Sequence, residues 1–237
     1  MDRDALKIKK HLTAFVSKIL FGVLLIWLSA SIALVLGPVY LHLPWLSRDT
    51  LVFGLSFIAY FLIHFMLYQP ILSHVMAHEL THALAAVLMG GKVTSIHAST
   101  TGGTTVVNRS HVFISLAPYV FPLYTAVAMG LWLIAAYPFK IYILALIGFT
   151  YGFHIALTIY SLTHHQPDLQ EGGVVFSLIF IFAGNMIVLM LLTSFVWPEL
   201  LPLRHAFSEV FHRAWHMALS AYYWVKPHFF HPRGNPA

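Results

Sequence analysis

Residues 71–90 read ILSHVMAHELTHALAAVLMG, an apolar run of membrane-crossing length that nevertheless carries three histidines and a glutamate. A helix repeats about every 3.6 residues, so His78 and His82 project from one face a single turn apart, close enough to share a cation. Glu79, one position round, can reach a water held at that cation. The spacing His78-Glu79-Leu80-Thr81-His82 is the one in which two imidazoles grip zinc while a carboxylate stands by as general base. His74 lies on the same stripe, but it is separated from His82 by about 12 Å along the axis at ~1.5 Å per residue. It is therefore read as a supporting or substrate-side residue rather than a ligand.

The acidic residues are placed in a way that composition alone does not explain. Between Asp49 and Glu199 the chain has only Glu79, Asp168 and Glu171, in a region where an ionised side chain is costly unless partnered. Glu79 belongs to the motif, and the other two lie in the polar break HHQPDLQEGG, residues 164–173. A catalytic zinc takes three protein ligands and keeps a fourth position open, and a carboxylate is an ordinary third ligand. The chain has no cysteine, which leaves imidazole and carboxylate as the metal-binding groups. If residues 168–173 open a helix, Asp168 and Glu171 share a face, so both stand as candidates.

Apolar residues make up 59% of the chain, charged residues 9%, and the mean hydropathy is +0.79. Soluble domains carry about 25% charged residues, so the expected class is an integral, multi-pass membrane protein. Apolar runs at 12–36, 51–68, 71–90, 112–137, 141–162 and 174–197 predict about six transmembrane helices, each near the ~20 residues that span the hydrocarbon. Only Gln69 and Pro70 separate the second and third, which form either a tight hairpin or one kinked helix. Pro118 and Pro122 predict a kink in the fourth. The first run follows Arg3, Lys7, Lys9 and Lys10 and continues past Ser29, Ala30 and Ser31, which reads as a retained signal anchor. Basic residues at both ends place both termini in the cytoplasm. The net charge of +5 suits contact with anionic lipid rather than nucleic acid. No repeat divides the chain. The expected organisation is one domain over 1–237, with N-terminal helices (1–70), a catalytic core (71–197) and a cytoplasmic tail (198–237). Within that tail, residues 203–226 have the pattern of an amphipathic helix lying on the membrane surface, and 227–237 that of a flexible end.

After Gly90 and Gly91 the segment 92–107 changes character. Val93, Thr94, Ser95 and Ile96, then Thr104, Thr105, Val106 and Val107, favour strands, and Gly102-Gly103 reads as a two-residue turn. A short hairpin embedded beside the motif helix must bury its edge or line a wet cavity. Its free edge could accept an extended peptide as an added strand, so Gly102, Gly103 and Thr104 are candidate substrate contacts, with Asn185 from the last span. An ordinary extracytoplasmic loop has the same local signals.

The His78-Glu79-Leu80-Thr81-His82 helix, the glycine-bearing hairpin after it and a carboxylate with Pro167 and Gly172-Gly173 two spans later resemble the site-2 protease family of intramembrane zinc metalloproteases. The resemblance covers about residues 71–190 and is to short bacterial-type members without accessory domains. It implies hydrolysis of a transmembrane segment of a protein substrate in a bacterial inner membrane, with one zinc ion per chain. His78 and His82 would be ligands and Glu79 the base. The family's third ligand is an aspartate in a Leu-Asp-Gly setting, which this chain lacks. Asp168 has the right chemistry but is followed by Leu169, whereas Glu171-Gly172-Gly173 occupies the analogous position; Asp168 is favoured and Glu171 is the alternative. His164 or His165 would stabilise the oxyanion, while His97 and His154 read as packing histidines. With six spans, Asp168 falls at the end of a helix while His78 and His82 are mid-span, so either residues 164–173 dip inward or the number of spans differs from six. Two rival readings remain: a membrane di-iron lipid hydroxylase or desaturase built on the histidines, and a noncatalytic scaffold.

Overall fold

In apolar surroundings a backbone satisfies itself only within a helix or a closed sheet, and the long apolar runs are helical. The structure, a computed structural model, describes residues 3–163 and 167–230. In chain order the helices are α1 (Arg3–Leu41), α2 (Arg48–Met66) and α3 (Ile71–Leu88), followed by strands β1 (Val93–Ser99) and β2 (Gly102–Val107). Then come α4 (Val112–Leu116), a 3-10 turn (Ala117–Tyr119), α5 (Leu123–Ile134), α6 (Lys140–Thr163), α7 (Asp168–Gly172), α8 (Val174–Val196) and α9 (Leu203–Phe230). Among the described residues, five helices are long and apolar enough to cross a membrane, with a sixth if the segments Val112–Tyr119 and Leu123–Ile134, bent by 69°, count as one broken span. The bend falls at Pro122, where a missing N–H and a ring clash end the helix, so the expected kink is a complete break.

Packing divides the chain elsewhere than at the expected boundaries of residues 70 and 197. One compact unit takes α1 together with residues from Leu189 through α9; the other runs from Leu43 to Val188. In the first unit, Ala206 and Val210 of α9 are buried, the Trp27 indole donates to the Ala214 carbonyl at 3.3 Å, and Tyr40 meets Thr193 at 2.8 Å. On α9, Ala206 and Val210 form the buried side, and the bulky Phe207, Phe211 and Trp215 face outward.

In the second unit, α2 packs on α6 rather than doubling back on α3. Gly148 and Gly152, one turn apart on α6, make this possible. A Cβ at Gly152 would lie 2.8 Å from the Phe57 carbonyl oxygen, and one at Gly148 would collide with that of Phe53. Tyr60 then fills the interface, edge-on to Phe149 at 5.1 Å and to Phe153 at 5.4 Å.

The hairpin is antiparallel, but its turn is Thr100-Thr101 and not Gly102-Gly103. Gly102 pairs with Ser99 and Gly103 with Ala98, so both glycines belong to the strand. Gly102 has φ +149°, a backbone setting that other residues rarely adopt. Ser99 closes the turn by donating to the Gly102 carbonyl at 2.8 Å.

The end of α6 explains how a distant carboxylate reaches the motif helix. His74, in the first turn of α3, bonds Ser161 at 2.9 Å, which sets the last turns of α6 beside the start of α3. The chain then folds back, so that Asp168 at the start of α7 meets His78, one turn further along α3. Leu116, Tyr119, Leu169 and Ile181 form a buried cluster that locks α7 against α4, the 3-10 turn and α8.

Candidate metal centre

On α3 the helical repeat aims His78 and His82 the same way, and the fold brings the Asp168 carboxylate to them. Asp168 Oδ2 lies 3.2 Å from His78 Nε2 and 3.5 Å from His82 Nε2. One ligand atom from each residue lies within 4.8 Å of the others, and among the described residues no other histidine or carboxylate group converges in this way. A tetrahedral zinc with bonds of ~2.0–2.1 Å separates its ligand atoms by about 3.3–3.4 Å, so these separations and this mixed nitrogen and oxygen donor set fit that ion.

Each donor is held from behind. His82 Nδ1 donates to the Ile114 carbonyl at 2.9 Å, which turns Nε2 toward Asp168. The Tyr119 hydroxyl donates to Asp168 Oδ2 at 3.2 Å, and the Tyr119 ring stands edge-on to His78 at 5.4 Å. Burial pushes the Asp168 carboxyl up, but the hydrogen bonds and charge of His78 and His82 outweigh it and hold the group well below the usual carboxylate range. It is thus an anion poised between two imidazoles.

Glu79 is buried, with 6% exposure, and faces β2. The Thr105 hydroxyl lies 2.7 Å from its Oε2 and 3.0 Å from its backbone carbonyl. Gly103 packs directly on it: a Cβ there would stand 2.6 Å from Glu79 Oε1.

His78, His82, Asp168 and Glu79 all border one cavity of about 840 Å³. Its other wall is the hairpin from Thr100 to Val107, which includes Gly102, Gly103 and Thr104, and it is closed by Ile71, Val75, Ser115 and Tyr160. The remaining expected residues are distributed as follows. Glu171 does not join the group: its carboxylate accepts from Ser110 and Ser115. His74 borders the cavity but spends its Nε2 on Ser161. Asn185 is not part of the cavity wall, and the expectation that it touches substrate gives way to a scaffold contact: its amide donates to the Tyr119 carbonyl at 2.8 Å and its oxygen lies 3.3 Å from His154 Nε2. His97 is exposed on β1. His164 and His165, like residues 231–237 of the expected tail, lie outside the described residues.

Sequence reasoning missed Thr105 and Tyr119. The first could have been found from strand alternation, since Gly103, Thr105 and Val107 must share a face. The second sits between Pro118 and the break at Pro122, a stretch read only for its prolines. No family model matches the chain, and no curated protein or solved structure is detectably similar to it.

Proposed function

We propose that this chain is a zinc-dependent intramembrane endopeptidase that hydrolyses a transmembrane segment of another protein. The observation that carries the reading is the meeting of His78, His82 and Asp168 beside a buried Glu79, all on one cavity walled by a hairpin. Five or six membrane-length helices support a multi-pass protein, and the basic ends support cytoplasmic termini.

His78 Nε2, His82 Nε2 and Asp168 would hold the ion. Zinc in that cage supplies Lewis acidity, which makes water nucleophilic near neutral pH and polarises a carbonyl. Glu79 takes the proton from the attacking water on its carboxylate and returns it to the leaving amine. Tyr119 and the Ile114 carbonyl keep the donors from rotating, so no reorganisation is needed as the substrate arrives. A substrate helix shields its own carbonyls and must unwind before cleavage. β2 lines the cavity, and its outer edge offers the backbone hydrogen bonds that an unwound segment loses. The volume of about 840 Å³ accommodates several residues of extended chain.

The test is the purified full chain in proteoliposomes with transmembrane peptides, beside metal analysis. One zinc per chain and cleavage that disappears in Glu79→Gln are expected. A zinc-loaded chain that cuts no membrane peptide defeats the proposal, and two irons per chain would point to an oxygenase.

A further inference from the structure

A general base on a helix has rotamer freedom that catalysis cannot tolerate, because a displacement of an ångström costs orders of magnitude in rate. Glu79 is confined by β2 alone among the described hydrogen-bonding partners of its carboxylate. Strand alternation turns Gly103, Thr105 and Val107 inward, half-buried, while Gly102, Thr104 and Val106 face out. Register therefore sets the Thr105 hydroxyl 2.7 Å from Glu79 Oε2. One step along the same face, Gly103 leaves room for the carboxylate. A Cβ there would approach Glu79 Cγ, Glu79 Oε1 and Val75 Cγ1 each to 2.6 Å, closer than real side chains allow. Gly103 has no positive φ, so its missing side chain is explained by the approach of Glu79 and not by backbone conformation.

We infer that Thr105 is a positioning residue that aims Glu79, and that Gly103 is bare because the base fills the space a side chain would need. The inference rests on the proteolytic reading of the site. It adds that the strand bordering the substrate cavity also sets the base, so docking on β2 and placement of Glu79 are mechanically linked.

The experiment uses the full chain in proteoliposomes with zinc, and again with cobalt in its place. Thr105→Val keeps the shape and removes the donor; Thr105→Ser restores the donor. Expected for Thr105→Val are unchanged zinc content, unchanged KM and a kcat lower by roughly 10- to 100-fold. Thr105→Ser should recover to within about threefold. Placed on Glu79→Gln in the cobalt form, Thr105→Val should move the visible bands no further than Glu79→Gln alone does, since both act through one side chain. Gly103→Ala should lower kcat with zinc retained. In the cobalt form, Thr105→Val should shift the visible bands in the direction that Glu79→Gln does, and Thr105→Ser should not. Wild-type kcat in Thr105→Val, a loss that follows loss of zinc, band shifts that add fully to those of Glu79→Gln, or unmoved cobalt bands would each overturn the inference. A wild-type chain inactive on every peptide would sink the protease reading instead, while the cobalt bands would still decide the role of Thr105.

Discussion

Replacing Asp168 by alanine should weaken zinc binding by about two orders of magnitude, whereas the same change at Glu171, three residues on, should leave it nearly unchanged. Structural zinc sites with four ligands bind with roughly 10–16 kcal/mol, or about 2.5–4 kcal/mol for each ligand. At ~1.4 kcal/mol per factor of ten, one ligand is worth about two to three decades. The structure argues for the lower end. Without metal, Asp168 is already paired with His78 Nε2 at 3.2 Å and His82 Nε2 at 3.5 Å, so its removal destabilises the metal-free state as well and offsets part of the loss. Glu171 is instead occupied by Ser110 and Ser115, whose hydroxyls donate to its carboxylate. Competition with a chromophoric zinc chelator measures both variants in detergent, and thermal unfolding of the metal-free forms confirms that each is folded. Affinity within threefold of wild type in Asp168→Ala, or an equal loss in Glu171→Ala, refutes the assignment of the third ligand.

Three further outcomes follow from the same geometry. Tyr119→Phe removes the hydroxyl that holds Asp168 Oδ2 and should cost about tenfold in zinc affinity by the same chelator assay, with the ring's contact to His78 kept. In the metal-free protein, the folded-state carboxyl of Asp168 is depressed, so its contribution to stability is complete above its unfolded value of about 4 and is lost as pH falls below that; melting temperature should therefore drop less between pH 5 and 3 in Asp168→Asn than in wild type. Gly152→Leu forces a side chain onto the Phe57 carbonyl and should destabilise the helix pair by about 1–3 kcal/mol, read as a lower melting temperature, whereas Gly54→Ala, with nothing within 4 Å, should not.

The helices and the motif were legible because both depend on local period: apolar runs report helix length, and a four-residue interval aligns His78 with His82 regardless of what surrounds them. The hairpin was legible as strand chemistry, but its turn was misplaced. A glycine pair reads as a turn by propensity, while here Gly102 meets a backbone requirement and Gly103 a tertiary one, the approach of Glu79. The choice between Asp168 and Glu171 was beyond sequence for a related reason. The two share a face, and only the position of Ser110 and Ser115, more than fifty residues earlier in the chain, draws one of them aside. Gly148 and Gly152 form a small-xxx-small pair that could have paired α6 with another helix from sequence.

The site stands where the helical scaffold is interrupted, and interruption sets a problem that its side chains solve. Breaking a helix frees carbonyls that apolar surroundings cannot satisfy. At the α4 turn the Ile114 carbonyl, which keeps only a tight-turn bond from the Ala117 N–H, also accepts from His82 Nδ1; at the break beyond it the Tyr119 carbonyl accepts from Asn185; at α7 the Leu169 carbonyl accepts from Ser177. The first of these bonds orients an imidazole of the proposed metal site. The second anchors the residue whose hydroxyl holds Asp168, and the third anchors the short helix that Asp168 begins. Satisfying the broken backbone and aiming the donors are thus one set of contacts. A substitution that leaves a freed carbonyl unpaired, such as Asn185→Leu, should for that reason weaken metal binding from outside the cavity, through Tyr119 and not through any contact with the ion.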